Sequence, residues 1–298
     1  MFRLFKNRFD VYIDLEVYSN FSTLITIFSA AKNRLGFYLQ SKKYRMGNYT
    51  HMMFYNTQSP ISQTYLQFAR LLNCNNIDTE ISRLHSDTTE TQINGKSIKL
   101  SELNYFVINP NASDLRYERR WGQEKYVELI NNLLKKNPKT HILLIGSKSE
   151  KKYVANIADK IHSDMLINLS GKTNIDELIE IIDNANLMIT NDSGPMHIAF
   201  SCKTQTIALF GPCSPQQYGY HPETLAIYSS VYCSPCVHDF VKPPCMGNNI
   251  CMKSISVKTV LNAVENYNNE IIANLNLAKF PPIVYNDSNN VYGELSRQ

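Results

Sequence analysis

Short continuous apolar runs alternate along this chain with longer stretches whose apolar residues recur at helical spacing. Phe9 to Glu16 reads as a buried strand ending in acidic residues, Phe21 to Ala31 as a helix, and Arg34 to Phe37 as the next strand. In Ile61 to Leu72 the residues Ile61, Tyr65, Phe68, Ala69 and Leu72 form one helical stripe, of the kind a core uses more often than a binding site. Residues 73–103 are polar and read as a linker with a short strand around Glu80 to Leu84. Tyr105 to Pro110 is then a strand, and Tyr126, Leu129, Ile130, Leu133 and Leu134 mark one face of the helix that follows. His141 to Ile145 is a strand, Glu150 to Ile161 a polar helix, and Met165 to Asn168 a short strand. The next helix has Ile175, Leu178, Ile179 and Ile182 on its buried face, and Thr173 with Asp176 forms a capping-box-like start. Strands at Leu187 to Thr190 and Thr206 to Phe210 flank another helix, and Val257 to about Leu275 is the last. Regular alternation of this kind predicts an α/β fold with a parallel, doubly wound sheet. The division expected is a first lobe over 1–75, a linker over 76–103, a Rossmann-type lobe over 104–278 and a loosely held tail over 279–298.

In an open parallel sheet ligands sit beyond the C-terminal strand ends. Four such loops are expected to converge on one crevice: Asn109 to Trp121, Gly146 to Glu150, Leu169 to Thr173 and Asn191 to His197. The last is the most informative. Its Asn-Asp-Ser-Gly-Pro cluster must leave the strand, Pro195 suits the first helical position, and Ser193 or Asp192 can cap the amides. A glycine at a helix N-terminus lets an anion approach the backbone, so Ser193, Gly194 and His197 are the candidates for holding a diphosphate. Glu150 is a candidate for ribose hydroxyls, because a carboxylate accepts two hydrogen bonds; the competing reading is a partner for its own helix dipole.

A chain of 298 residues with 43% hydrophobic content suits two α/β lobes or one large one. The formal charge is only +4, yet residues 1–51 hold eight basic and three acidic side chains, a face suited to an anionic acceptor or the inner membrane surface. No nucleic-acid-binding motif is present. Neither a membrane-length apolar run nor a signal peptide is seen, so the expectation is a cytosolic protein with at most peripheral contact with the inner membrane. Seven cysteines fit a reducing compartment. Four of them, Cys233, Cys236, Cys245 and Cys251, lie in one loop over 233–251 with spacing that suits a structural zinc site remote from the chemistry. An iron–sulfur site, two labile disulfides or packed free thiols are the alternatives. Cys74, Cys202 and Cys213 read as small packing residues.

Asp192-Ser-Gly-Pro-Met-His197, Ala199-Phe, Ile207-Ala-Leu-Phe-Gly-Pro212 and Pro215 together resemble the signature of glycosyltransferase family nine, the heptosyltransferases of lipopolysaccharide core synthesis. Asp14-Leu-Glu16, Phe21-Ser22, Arg34 to Phe37, Tyr49 to His51 and Tyr55-Asn56 resemble the later part of that family's acceptor lobe. The resemblance implies a GT-B-like pair of Rossmann-type lobes, the first without its start, where the family carries its proposed aspartate base. Asp14 and Glu16 are the nearby carboxylates that could substitute for it. It further implies that Ser193, Gly194, Pro195 and His197 meet the diphosphate, with Asp192 holding the loop or contacting the transferred sugar. Asn109-Pro-Asn-Ala112-Ser113 looks like the family's Pro-Gly-Ala-Ser loop, with Asn111 where glycine is usual. Arg119 stands where a lysine commonly meets the diphosphate, its competing reading being a solvated loop residue. Gly171, Lys172 and Thr173 match the loop that meets adenine; with no glycine five residues earlier they are not a phosphate-cradling Walker A loop. The implied activity is inverting transfer from an ADP-sugar to a saccharide or lipid-linked acceptor of the lipopolysaccharide core type. Arg119, Asp192 and His197 serve the chemistry, and no cofactor is required for it. The alternatives are an impaired, non-catalytic nucleotide-sugar-binding protein and a nucleotide-sugar epimerase on the same architecture.

Overall fold

The computed structural model describes residues 9–74, 82–86, 91–93, 96–112, 116–229, 231–240, 242–267 and 283–285. Two units separate by their contacts, Met1–Glu80 and Ile81–Gln298. The first contains β1 (Val11–Ile13), α1 (Asn20–Phe28), β2 (Asn33–Tyr38), β3 (His51–Phe54) and α2 (Ile61–Leu71), with the strands in a parallel sheet of order β1-β2-β3. Phe37 and Leu35 of β2 pack with Val17 and Phe68 in its core. At Gly36 any Cβ would stand 2.4 Å from the Tyr49 ring, so glycine is what lets that ring lie against β2. The Tyr49 hydroxyl then reaches Asp14 at 2.5 Å.

The second unit opens with a hairpin of β4 (Thr91–Ile93) and β5 (Lys96–Ile98). Then follow β6 (Tyr105–Asn109), α3 (Gln123–Lys136), β7 (His141–Leu144), α4 (Lys151–Ala158), β8 (Leu166–Asn168), α5 (Ile175–Asp183) and β9 (Leu187–Asn191). After these come α6 (Gly194–Cys202), β10 (Thr206–Phe210), α7 (Pro215–Tyr218), β11 (Thr224–Tyr228), α8 (Ile250–Ser254), α9 (Val257–Tyr267) and β12 (Ile283–Tyr285). The seven strands from β6 to β12 form one parallel sheet of order β12-β11-β10-β9-β6-β7-β8. All five residues of β6 are buried, because successive side chains of a strand point to opposite faces and both faces are covered. Phe106 and Ile108 pack with α3, α4 and α9, whereas Tyr105 and Val107 pack with α5 and α6. The order of strands reverses between β6 and β9. A crevice therefore opens beyond Asn109 and Asn191, the last residues of these two neighbours.

Several expectations are corrected. Residues 82–84 are not strand, Leu84 instead donating its N–H to the Ser201 carbonyl at 2.8 Å, and Glu80 lies outside the described residues. The cap of α5 is Asn174, not Thr173: Asn174 and Glu177 form the reciprocal capping box. The buried face of α5 turns accordingly, with Ile175 59% exposed and Ile181 fully buried. The strands β3, β11 and β12 and the β4–β5 hairpin were not expected, and β12 pairs with β11 inside the stretch read as a loose tail. The expected continuation of the last helix beyond Tyr267 lies outside the described residues. Among the described residues no helix is long and apolar enough to cross a membrane.

Candidate functional site

At the end of β9 the backbone of Ser193 is extended, and α6 begins at Gly194 with Pro195 in its second position rather than its first. Ser193 does not cap the helix. Its Oγ instead donates to the Asn191 carbonyl at 3.1 Å and accepts from Asn109 Nδ2 at 2.8 Å. The first turn of α6 therefore has no side-chain cap, and a Cβ placed on Gly194 would meet nothing within 4 Å. This is a helix N-terminus open to an anion.

Buried amides hold this turn in place. Asn109 Nδ2 also donates to Thr190 Oγ1 at 3.0 Å, Asn111 Nδ2 donates to Asn109 Oδ1 at 3.2 Å, and Asn191 Nδ2 donates to the Asn111 carbonyl at 3.1 Å. Tyr126 closes the set by donating from its hydroxyl to Asn191 Oδ1 at 3.0 Å. A connected network of this sort rigidifies the ends of β6 and β9 together. Asn111 is part of the framework: its Nδ2 also meets the Ile145 carbonyl at 2.9 Å.

A pocket of about 250 Å³ lies over this turn, lined by Asp192, Ser193, Gly194 and His197 on one side and by Arg119, Cys213, Tyr218 and His238 on the others. Arg119 ends a short 3-10 turn, Tyr117–Arg119, and its Nη1 donates to the Asp192 carbonyl at 3.3 Å and lies 3.5 Å from Asp192 Oδ2. Arg119 Nε is shielded from solvent and has no hydrogen-bond partner among the described residues. His197 lines the pocket, and its ring makes a T-shaped contact with Phe200, centroids 5.5 Å apart. Crowding by the surrounding protein lowers its pKa, Asp192 opposes that shift and Arg119 adds to it. Burial foremost, with the charge of Asp192 second, pushes the pKa of the Cys213 thiol well up. Cys213 packs in a core cluster with Met196, Phe200 and Phe210, as expected, and also lines the pocket.

The remaining candidates lie further along the same sheet edge. Gly171, at φ +70°, donates its N–H to the Gly146 carbonyl at 2.7 Å, which brings the loops after β7 and β8 together. Lys172 Nζ donates to the Asn168 carbonyl at 2.8 Å, and Glu150 Oε2 accepts from both the N–H and the hydroxyl of Ser147 at 2.8 Å. Thr173 follows them at the entry to α5, while Ser113 lies outside the described residues. In the first unit Asp14 is only 5% exposed. Its oxygens accept from Ser22, Thr26 and Tyr49 hydroxyls and the Glu16 N–H, and Arg45, fully buried, lies 3.9 Å away. A carboxylate occupied in this way holds the fold together. Glu16 is exposed and accepts from the Tyr18 N–H at 3.2 Å.

The cysteine loop is not remote from the pocket. Cys236 and Val237 both donate their N–H groups to the Pro212 carbonyl at 2.9 Å, and the next residue, His238, lines the pocket. The far end of the loop is tied to the segment carrying Arg119, through Asn249 Nδ2 to the Arg120 carbonyl at 3.1 Å and Trp121 Nε1 to the Ile255 carbonyl at 2.9 Å. All four thiols are free, and among the described residues no group of three or more His, Cys, Asp or Glu is arranged to hold a metal. Tyr218, Cys213 and His238 were not foreseen as pocket residues. Only the proximity of Cys213 and Tyr218 to the Phe210-Gly-Pro212 strand end could have indicated them; nothing in sequence places His238 there.

A doubly wound α/β unit with an uncapped helix N-terminus, a guanidinium nitrogen without a partner among the described residues and a histidine at its switch point is of the class whose sheet edge suits an anionic ligand. Residues 2–245 match the family model of glycosyltransferase family 9 (heptosyltransferase), and the chain belongs to that family. It is 33% identical over 86 residues to lipooligosaccharide heptosyltransferase 2 of Campylobacter jejuni, a match covering 27% of this chain and 25% of that protein. The match thus spans about a quarter of the length of the curated relative. The fold is similar to that of E. coli ADP-heptose LPS heptosyltransferase II, with TM-score 0.60 and 19% identity over 89% of this chain and 78% of that one. It is also similar to E. coli heptosyltransferase WaaC with ADP-2-deoxy-2-fluoro heptose, with TM-score 0.61 and 15% identity over 89% and 74%.

Proposed function

We propose that this chain is an inverting glycosyltransferase that moves a heptose-like sugar from an ADP-sugar to a saccharide acceptor of the lipopolysaccharide core type. The observation that carries the reading is the meeting of Arg119, the open turn at Gly194 and His197 on one pocket. When a glycosyl bond to a nucleoside diphosphate breaks, negative charge grows on the departing phosphate. A guanidinium fork, a helix N-terminus and an imidazole aimed at that charge stabilise it without reorganising. Asp192, 5% exposed and paired with Arg119, keeps the fork aimed and meets the sugar side. At about 250 Å³ the pocket is smaller than the roughly 300–1,000 Å³ of whole-ligand sites, which suits the diphosphate-sugar end of the donor. The adenosine then runs along the edge past Gly146 and Gly171, with Glu150, Lys172 and Thr173 around it. The anionic acceptor and contact with the inner membrane surface belong to the same reading, supported by the basic bias of residues 1–51.

The four cysteines of the loop are read as a structural zinc site whose metal takes no chemical step in the transfer. Burial raises the pKa of each of Cys233, Cys236 and Cys251, and charges on the other thiols of the loop raise them further. A divalent cation is what such mutually repelling thiolates accommodate. Elemental analysis of reduced protein should find about one zinc per chain; neither zinc nor iron would remove the site. For the main reading, ADP release from ADP-heptose on adding a core oligosaccharide is the test. Release that depends on the acceptor supports transfer, and ADP binding without any release points to the non-catalytic alternative.

A further inference from the structure

The two sides of the pocket differ in chemistry. Arg119, Gly194 and His197 suit an anion, whereas Cys213, Tyr218 and His238 bring a thiol, a phenol and an imidazole, groups that each donate and accept hydrogen bonds. Such groups match hydroxyls. His238 is also firmly delivered: it follows Cys236 and Val237, both anchored on the Pro212 carbonyl at 2.9 Å, and its Nε2 lies 3.1 Å from the Tyr218 hydroxyl. Tyr218 is in turn fixed at the end of α7, its N–H donating to the Ser214 carbonyl at 3.1 Å. Side chains held on anchored backbone and backed by a second polar group are the ones that discriminate between ligands.

We propose that His238 reads hydroxyls of the transferred sugar, with Tyr218 as the positioning residue that sets its ring, so that the cysteine loop supplies sugar recognition to a site whose diphosphate half lies on α6. The proposal rests on the ADP-sugar reading above. It explains why the loop is bound to the Gly211-Pro212-Cys213 turn at one end and to the Arg119 segment at the other: both halves of the donor site are then set by one body.

The test is calorimetric titration of the full chain, and of His238→Ala, His238→Gln and Tyr218→Phe, with ADP and with ADP-D-β-D-heptose. The wild-type protein should bind ADP-heptose more tightly than ADP. His238→Ala should leave ADP affinity within about twofold and weaken ADP-heptose about tenfold, the size of one lost hydrogen bond. His238→Gln should recover part of the loss, and Tyr218→Phe should lower ADP-heptose affinity alone, with an unchanged melting temperature. Equal weakening of both ligands would place His238 on the diphosphate or in the fold and overturn the proposal, as would no change in either. A wild-type protein that binds ADP but gains nothing from the sugar overturns this inference alone. One that binds neither overturns the donor-site reading itself.

Discussion

Replacing Gly211 by alanine tests the claim that one turn joins the cysteine loop to the pocket. A Cβ at this position would stand 2.6 Å from Met252 Sδ, 2.8 Å from Met252 Cγ and 2.9 Å from Cys251 Sγ, all inside normal contact distance. Met252 is fully buried and Cys251 is 6% exposed, so neither can swing away into solvent. Overpacking by one methyl in such a setting costs about 1–3 kcal/mol. For a unit of this size that lowers the melting temperature by about 2–12 °C. The direction of the push matters as well. Cys213, two residues on, lines the pocket beside Asp192, while Ser234 Oγ of the cysteine loop donates to the Gly211 carbonyl. ADP-heptose affinity should therefore fall along with stability. The methionine supplies an internal control, because Met252→Ala alone leaves a cavity costing about 2–5 kcal/mol, yet removes the two tightest contacts and leaves only that with Cys251 Sγ. The double variant should be more stable than the sum of the two changes by about 0.5–3 kcal/mol. Urea denaturation of the four proteins measures this coupling. Strict additivity, or a Gly211→Ala protein as stable as wild type, would refute the packing argument.

Asp14→Ala should destabilise the first unit by about 3–5 kcal/mol in urea denaturation, because it leaves the fully buried Arg45 without its carboxylate. Unchanged stability with lost sugar transfer would instead return Asp14 to the role of base. Cys236→Ser should lower both the melting temperature and ADP-heptose affinity; an effect on stability alone would restore the remote site expected from sequence. His197→Ala should weaken ADP binding by about 1–3 kcal/mol in calorimetry, the size of a hydrogen bond to a charged group. The pKa of His197 is held below the ordinary histidine value by its surroundings, so the ring gains its charge only in the acidic range below that value. A cationic ring favours the diphosphate, so ADP-heptose affinity should rise as pH falls through that range, and this rise should be missing from His197→Asn.

The centre of the site was legible because its signals are local. A buried strand ending in Asn191-Asp-Ser-Gly-Pro must turn, and a glycine at a helix start opens an anion site whatever the surroundings. The capping prediction for Ser193 failed because its hydroxyl found a tertiary partner, Asn109 Nδ2, that local reasoning does not see. Strand β11 was missed because Thr224 to Tyr228 has no flanking alternation; burial between β10 and β12 makes it a strand. In β3 the sequence His-Met-Met-Phe lacks β-branched residues, and pairing with β2 overrides that weak propensity. Asp14 was read as a strand end near the chemistry, and its occupation by hydroxyls from α1 and Tyr49 needed the fold. His238 was invisible for the same reason. Its place depends on Pro212, far back in the chain, accepting the two N–H groups just before it.

The central claim is that the turn from β9 into α6 receives the diphosphate of an ADP-sugar, and a structure of this chain with ADP bound tests it most directly. The phosphates should lie within hydrogen-bond distance, about 2.7–3.2 Å, of the Gly194 N–H and the Arg119 guanidinium, with adenine beside Gly171. ADP bound with its phosphates away from Gly194, Arg119 and His197 would contradict the account.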